Sequence, residues 1–131
     1  MDASQKNNLT LSNTTKGKLP SLPFSDMKNA VLGKKYALSL VIVSPAEIKK
    51  LNATYRGKNT PTDILSFPLS KNEGEMFICI SETKKEAMKF ERAFPNFLAF
   101  LFIHGLVHLK GFDHGSRMES EEEKFRKKFL V

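Results

Sequence analysis

The sequence is poor in cysteine: among 131 residues there is one, Cys79. That excludes an internal disulfide and makes a reducing, cytoplasmic compartment the simplest expectation. Long hydrophobic runs are also missing. The longest, Phe97 to Leu109, is broken by His104, Gly105 and His108, and it falls short of the ~18 residues that suggest a membrane span. No charged start followed by an apolar stretch marks a secretory signal, and no repeat, low-complexity tract or linker divides the chain. Acidic residues are scarce in one half only. Residues 1–63 carry ten Lys and Arg against four Asp and Glu, whereas the remainder is close to balanced within a net charge of +7. A basic half is the footprint of a polyanion binder as readily as a solubility charge, because phosphate contacts gain from counterion release.

Enough is present to fold. Apolar residues make up 40% of the chain and charged residues 27%, which suits one domain spanning residues 1–131. Residues 1–20 are polar and leave room for a loosely ordered segment around Leu9–Ser12, whose alternation fits an edge strand. Phe24–Leu32 reads as a short helix and Tyr36–Val43 as the clearest strand. Ser44-Pro45-Ala46-Glu47 opens a helix that runs to about Tyr55, with serine as cap, proline in the first turn and Glu47 three residues on. Ile64–Leu69 is a strand that Pro68 confines to an edge. Met76–Ile80 is another, and Ser81–Ala93 a helix with Thr83 and Glu86 at capping-box spacing. Pro95 opens an apolar helix to about Lys110, and Ser116-Arg117-Met118-Glu119 caps a charged one to Leu130. This order predicts an α+β fold with about four strands covered by helices.

All three histidines lie within eleven residues, His104 to His114. On a helix His104 and His108 stack on one face. Gly111 can end the helix in a left-handed conformation and bring His114 back. Three imidazoles at one point suit Zn²⁺ and leave a fourth position open, the arrangement of catalytic rather than structural sites. The spacing also matches zinc peptidases of the metzincin kind, but those carry a glutamate as general base directly after the first histidine. Here that residue is Gly105, which cannot move a proton. Asp113 is a candidate partner for a ligand, or simply part of the turn before Ser116. Thr62, Asp63 and Ser66 read first as turn and packing residues, Cys79 as an inert buried thiol, and most of the phenylalanines as core. The acidic run Glu119–Glu123 complements the dipole at a helix start.

The block His104-Gly105-Leu106-Val107-His108-Leu109-Lys110-Gly111-Phe112-Asp113-His114 resembles the signature of the YbeY-type bacterial endoribonucleases. A second block, Leu51-Asn52, Tyr55-Arg56-Gly57-Lys58 and Pro61-Thr62-Asp63-Ile64-Leu65-Ser66-Phe67-Pro68, is similar to the same family, whose pattern has Asp or Asn at the position of Asp63. Glu75 and Phe112 depart from its usual Asp and Tyr. The resemblance implies a mixed sheet with the metal held in a cleft by the histidine helix. It implies one zinc ion per chain on His104, His108 and His114, Arg56 as the catalytic arginine of the cleft, and Lys58 as an added attraction for substrate. It further implies a single-strand-specific endoribonuclease of 16S ribosomal RNA 3′-end processing, ribosome maturation and quality control. Its partners would be ribosomal RNA and small-subunit proteins, not DNA or membrane. A non-catalytic ribosome-assembly factor with structural zinc and a zinc peptidase-type hydrolase are the competing readings.

Overall fold

A computed structural model describes residues 2–112 and 115–131. Among the described residues, five strands form one mixed sheet: β1 (Asp2–Lys6), β2 (Leu9–Asn13), β3 (Ala37–Ile42), β4 (Ile64–Ser70) and β5 (Glu73–Ile78), in the order β1-β2-β3-β5-β4. The outer pairs are antiparallel, while β3 runs parallel to both β2 and β5. The α+β architecture and the mixed sheet agree with the sequence reading. The fifth strand is the addition. β1 pairs with β2 through the whole of Asp2–Lys6, so Leu9–Ser12 lies inside the sheet rather than at its edge. The alternation in β2 is real, but nothing in the apolar pattern of residues 2–6 announces a partner for it.

The described residues also form five helices: α1 (Phe24–Leu32), α2 (Pro45–Arg56), α3 (Ile80–Lys89), α4 (Phe94–Leu109) and α5 (Ser116–Phe129). At α2 the cap forms as the residues dictate. Ser44 Oγ accepts from the Glu47 N–H at 3.2 Å, and Gly57 closes the far end in the left-handed conformation. The other two expected boxes do not form. Thr83 lies inside α3 and its hydroxyl donates back to the Cys79 carbonyl at 2.8 Å, while Ser116 is already helical and Gly115 stands ahead of it.

Strand alternation sorts the residues onto two faces. Leu38, Leu40, Ile42, Met76 and Ile78 are buried in the larger core with Leu98, Phe102, Ile103 and Leu106 of α4 and Met27 and Val31 of α1. Phe24 meets Phe102 edge to face at 5.0 Å. α4 is apolar on nearly every side because it is enclosed by β4, α1, α3 and α5. The opposite face of the sheet, with Val41, Leu65, Phe67 and Phe77, is covered by Ile48 and Leu51 of α2. Among the described residues no single helix is long and apolar enough to cross a membrane.

Candidate metal centre and cleft

β4 sits at the edge of the sheet, as Pro68 dictates: proline has no N–H to give a further strand. This placement shapes the site. α2 packs on one face and α4 on the other, yet Arg56, the last residue of α2, lines the same cleft as His104 and His108 of α4. Only an edge strand lets a side chain from the far face come round. The cleft encloses about 330 Å³, and its floor is Ile64, Ser66 and Pro68 of β4. Ser66, read from sequence as a packing residue, is therefore part of the wall. Lys58 is exposed in the loop beyond α2 and does not line the cleft. Thr62 and Asp63 lie outside it and pair with each other, the hydroxyl donating to the carboxylate at 3.4 Å. Cys79 is buried beside Ser81 Oγ, away from the cleft.

His104 and His108 stand one turn apart, both half-buried, with ring centroids separated by 4.7 Å and planes at 87°. His104 Nδ1 contacts the Glu122 carboxylate of α5. A carboxylate there holds the proton on Nδ1 and leaves Nε2 as the lone-pair nitrogen, which is how ligating histidines are commonly oriented. The acidic run thus has a second role beyond the helix dipole. Glu122 is buried, in line with Met118 and Phe125 on the inner face of α5. The signal was legible as a carboxylate interrupting an apolar stripe at spacings of four and three.

α4 ends where the glycine was expected to end it. Gly111 has φ of +109°, its N–H donates to the His108 carbonyl at 3.0 Å, and the chain turns away. Asp113 and His114 lie outside the described residues. Among those described, His104 and His108 belong to no metal-ligating group of three or more His, Cys, Asp or Glu. Two imidazoles on one helix face, one oriented by a carboxylate, are a donor set that fits a borderline cation such as Zn²⁺.

Gly105 accounts for the missing glutamate. A β-carbon there would lie 2.7 Å from Met76 Cε and 2.9 Å from Ile64 Cδ1 and Ser66 Oγ. The position that would carry a peptidase base is a point of close approach between helix and sheet at the cleft wall, where any side chain would have to displace the ends of Met76, Ile64 and Ser66.

Comparison with known proteins places the fold among its relatives. The family model described as Endoribonuclease YbeY matches residues 4–129. Proteins named Endoribonuclease YbeY include one from Thermotoga maritima, 37% identical over 92 residues, covering 69% of this chain and 61% of that one. Another, from Alkaliphilus metalliredigens, is 36% identical over 107 residues, covering 73% and 69%. The solution structure of a Thermotoga maritima protein superposes with a TM-score of 0.67 at 26% identity, over 93% of this chain and 89% of that one.

Proposed function

Since the chain belongs to the endoribonuclease YbeY family, we propose that it is a zinc-dependent endoribonuclease that cuts single-stranded ribosomal RNA as the small ribosomal subunit matures. The observation that carries this reading is the convergence of Arg56 with His104 and His108 in one cleft, from elements on opposite faces of the sheet. Phosphodiester cleavage builds negative charge on the phosphate oxygens. A planar guanidinium can hold two of those oxygens and stabilise the charge as it develops. His104, His108 and His114 would hold the ion, which when bound supplies Lewis acidity toward a phosphate oxygen. Glu122 keeps His104 in the tautomer that can ligate. Lys58, in the loop outside the cleft, would attract the RNA as a point charge without fixing its orientation. Gly105 opposes the peptidase reading, because it has no side chain to serve as the base.

The test is cleavage of a single-stranded ribosomal RNA fragment by the wild type and by His108→Ala, His114→Ala and Arg56→Ala, all purified in parallel free of other nucleases. The expected result is a loss of at least about a hundredfold for each, comparable with removing one group that stabilises transition-state charge, with the circular dichroism spectrum retained. Undiminished cleavage by His108→Ala and His114→Ala would refute the proposal. Elemental analysis of the wild type is expected to give one zinc per chain.

A further inference from the structure

The inner face of α2 outruns the sheet it covers. Ile48 and Asn52 are buried, Leu51 is half-buried, and Tyr55 follows one turn beyond Leu51. A tyrosine at that register should belong to the core. It is 66% exposed instead, because the strand beneath it is β4, the last of the sheet. Its ring rests on Phe67 of β4, with centroids 5.2 Å apart and planes at 54°. Phe67 in turn meets Phe77 of β5 edge to face at 5.9 Å. Two rings carried by strands thus support Tyr55 from below and leave most of it to solvent.

Burial does not account for an aromatic residue here. A side chain left mostly exposed gains little from the hydrophobic effect, and a leucine would cover Phe67 as well. The surroundings say more. The next residue, Arg56, lines the histidine cleft together with Ser66 and Pro68, the two neighbours of Phe67 in β4. Successive residues point about 100° apart on a helix and to opposite faces on a strand. Tyr55 and Phe67 therefore stand on the α2 side of the edge strand, with the cleft directly around that edge. The charge around the ring is of one sign. Residues 48–62 carry Lys49, Lys50, Arg56 and Lys58 and no acid. The carboxylate opposite Phe67 in register, Glu75, lines a separate groove with Ser39 and Leu69. An exposed ring on a firm support, set in a basic rim beside a phosphate-binding arginine, is the pattern that holds unpaired nucleic acid.

We infer that Tyr55, backed by Phe67, is a stacking platform for an RNA base next to the phosphate held by Arg56 at the cleft. The inference rests on the endoribonuclease reading for its ligand, and it gives the preference for single strands a physical origin. Every base has a π-face, so the platform holds the strand without reading its sequence. A base inside a duplex is already stacked and paired and cannot be laid on the ring. Tyr55 binds substrate and touches no reacting atom.

Binding is read apart from cleavage, by fluorescence anisotropy of a labelled, 2′-O-methylated single-stranded oligonucleotide with the full-length protein as purified, over a series of salt concentrations. A gel run afterwards checks that the strand is intact. Tyr55→Leu keeps an apolar cover on Phe67 and removes the π-face. Its affinity is expected to fall about five- to a hundredfold. The slope of log affinity against log salt should stay at the wild-type value, because stacking releases no counterion. Tyr55→Phe keeps the ring and should bind as the wild type does. Thermal melts are taken on the same samples. If Tyr55→Leu is unfolded, Tyr55→Trp carries the test, since the chain has no other tryptophan. Its emission should be quenched by the oligonucleotide and not by an abasic strand of the same length. Wild-type affinity in Tyr55→Leu, or unquenched emission from saturated Tyr55→Trp, would overturn the platform, and cleavage by the wild type would still leave the nuclease reading intact. A shallower salt slope in Tyr55→Leu, with Tyr55→Phe equally weakened, would also overturn it by showing that the tyrosine merely positions Arg56. Binding that Tyr55→Leu weakens at unchanged slope, in a wild-type protein that never cuts RNA, would refute the nuclease reading and support the platform.

Discussion

Glu122 and Asp63 are two half-hidden carboxylates with opposite circumstances. Glu122 has an imidazole to face; among the described residues no ion pair reaches Asp63. Burial and the nearby Glu86 charge hold Asp63 above the usual carboxylate range, against hydrogen bonds from Ile64, its own backbone and Thr62 that pull the other way. A carboxyl whose native pKa exceeds its unfolded value destabilises the fold only when ionised. The deficit is absent well below the ordinary carboxylate range, grows as pH rises through it, and is complete above the raised native value. Asp63→Asn keeps an acceptor oxygen and removes the charge. It should therefore melt higher than the wild type at pH 7, with the two converging toward pH 3, as thermal melts across that range would show. Glu122→Gln is expected to weaken zinc binding by about ten- to a hundredfold, the usual consequence of disturbing a ligand's partner, read by competition with a chelating dye. An unchanged affinity would mean that the carboxylate does not orient His104.

At the scale of elements, Lys28 departs most from pattern. On an otherwise apolar face of α1, between Met27 and Val31, it is fully buried. Its ammonium donates to the carbonyls of Asn7, Tyr36, Gly33 and Lys34 at 2.7 to 3.2 Å. One charge thus ties the β1–β2 turn, α1 and the start of β3 together. Lys28→Met keeps the volume and orphans the carbonyls, for an expected loss of about 3 kcal/mol, measurable by urea denaturation; a change below about 0.5 kcal/mol would show that the carbonyls find other donors. A lysine in a polar sequence reads as solvated, so nothing along the chain exposes this clamp. Where local chemistry decides, the sequence was legible: Phe24–Leu32 is a helix to the residue, Ser44 caps α2, Pro68 marks an edge and Gly111 ends α4. It was less legible where partners distant in the chain decide. β1 exists because β2 offers it hydrogen bonds. Thr83 is turned inward by the packing of α3, so its hydroxyl serves the Cys79 carbonyl instead of a cap.

For the molecule as a whole, the main core runs from Leu9 to Phe125 through α4, and of the cleft floor Ile64 alone packs against it. Such a core should stand without a metal. Chelated protein is expected to keep a cooperative thermal transition, shifted down only by the linkage of binding to folding, about 4 kcal/mol at a thousandfold excess of ion over its dissociation constant. Calorimetry that found no transition after chelation would favour a structural ion and an assembly factor over an enzyme. Arg56 in the cleft was foreseeable only through resemblance, since a turn arginine gives no local sign that an edge strand will let it reach round. Helix and sheet approach closely at Gly105, where a β-carbon would press on Met76, Ile64 and Ser66, so the spacing at this point suits the smallest residue available. A larger one would lift the histidines outward with their helix and lengthen the span Arg56 must bridge. The width of the groove is gauged by a position with no functional group of its own.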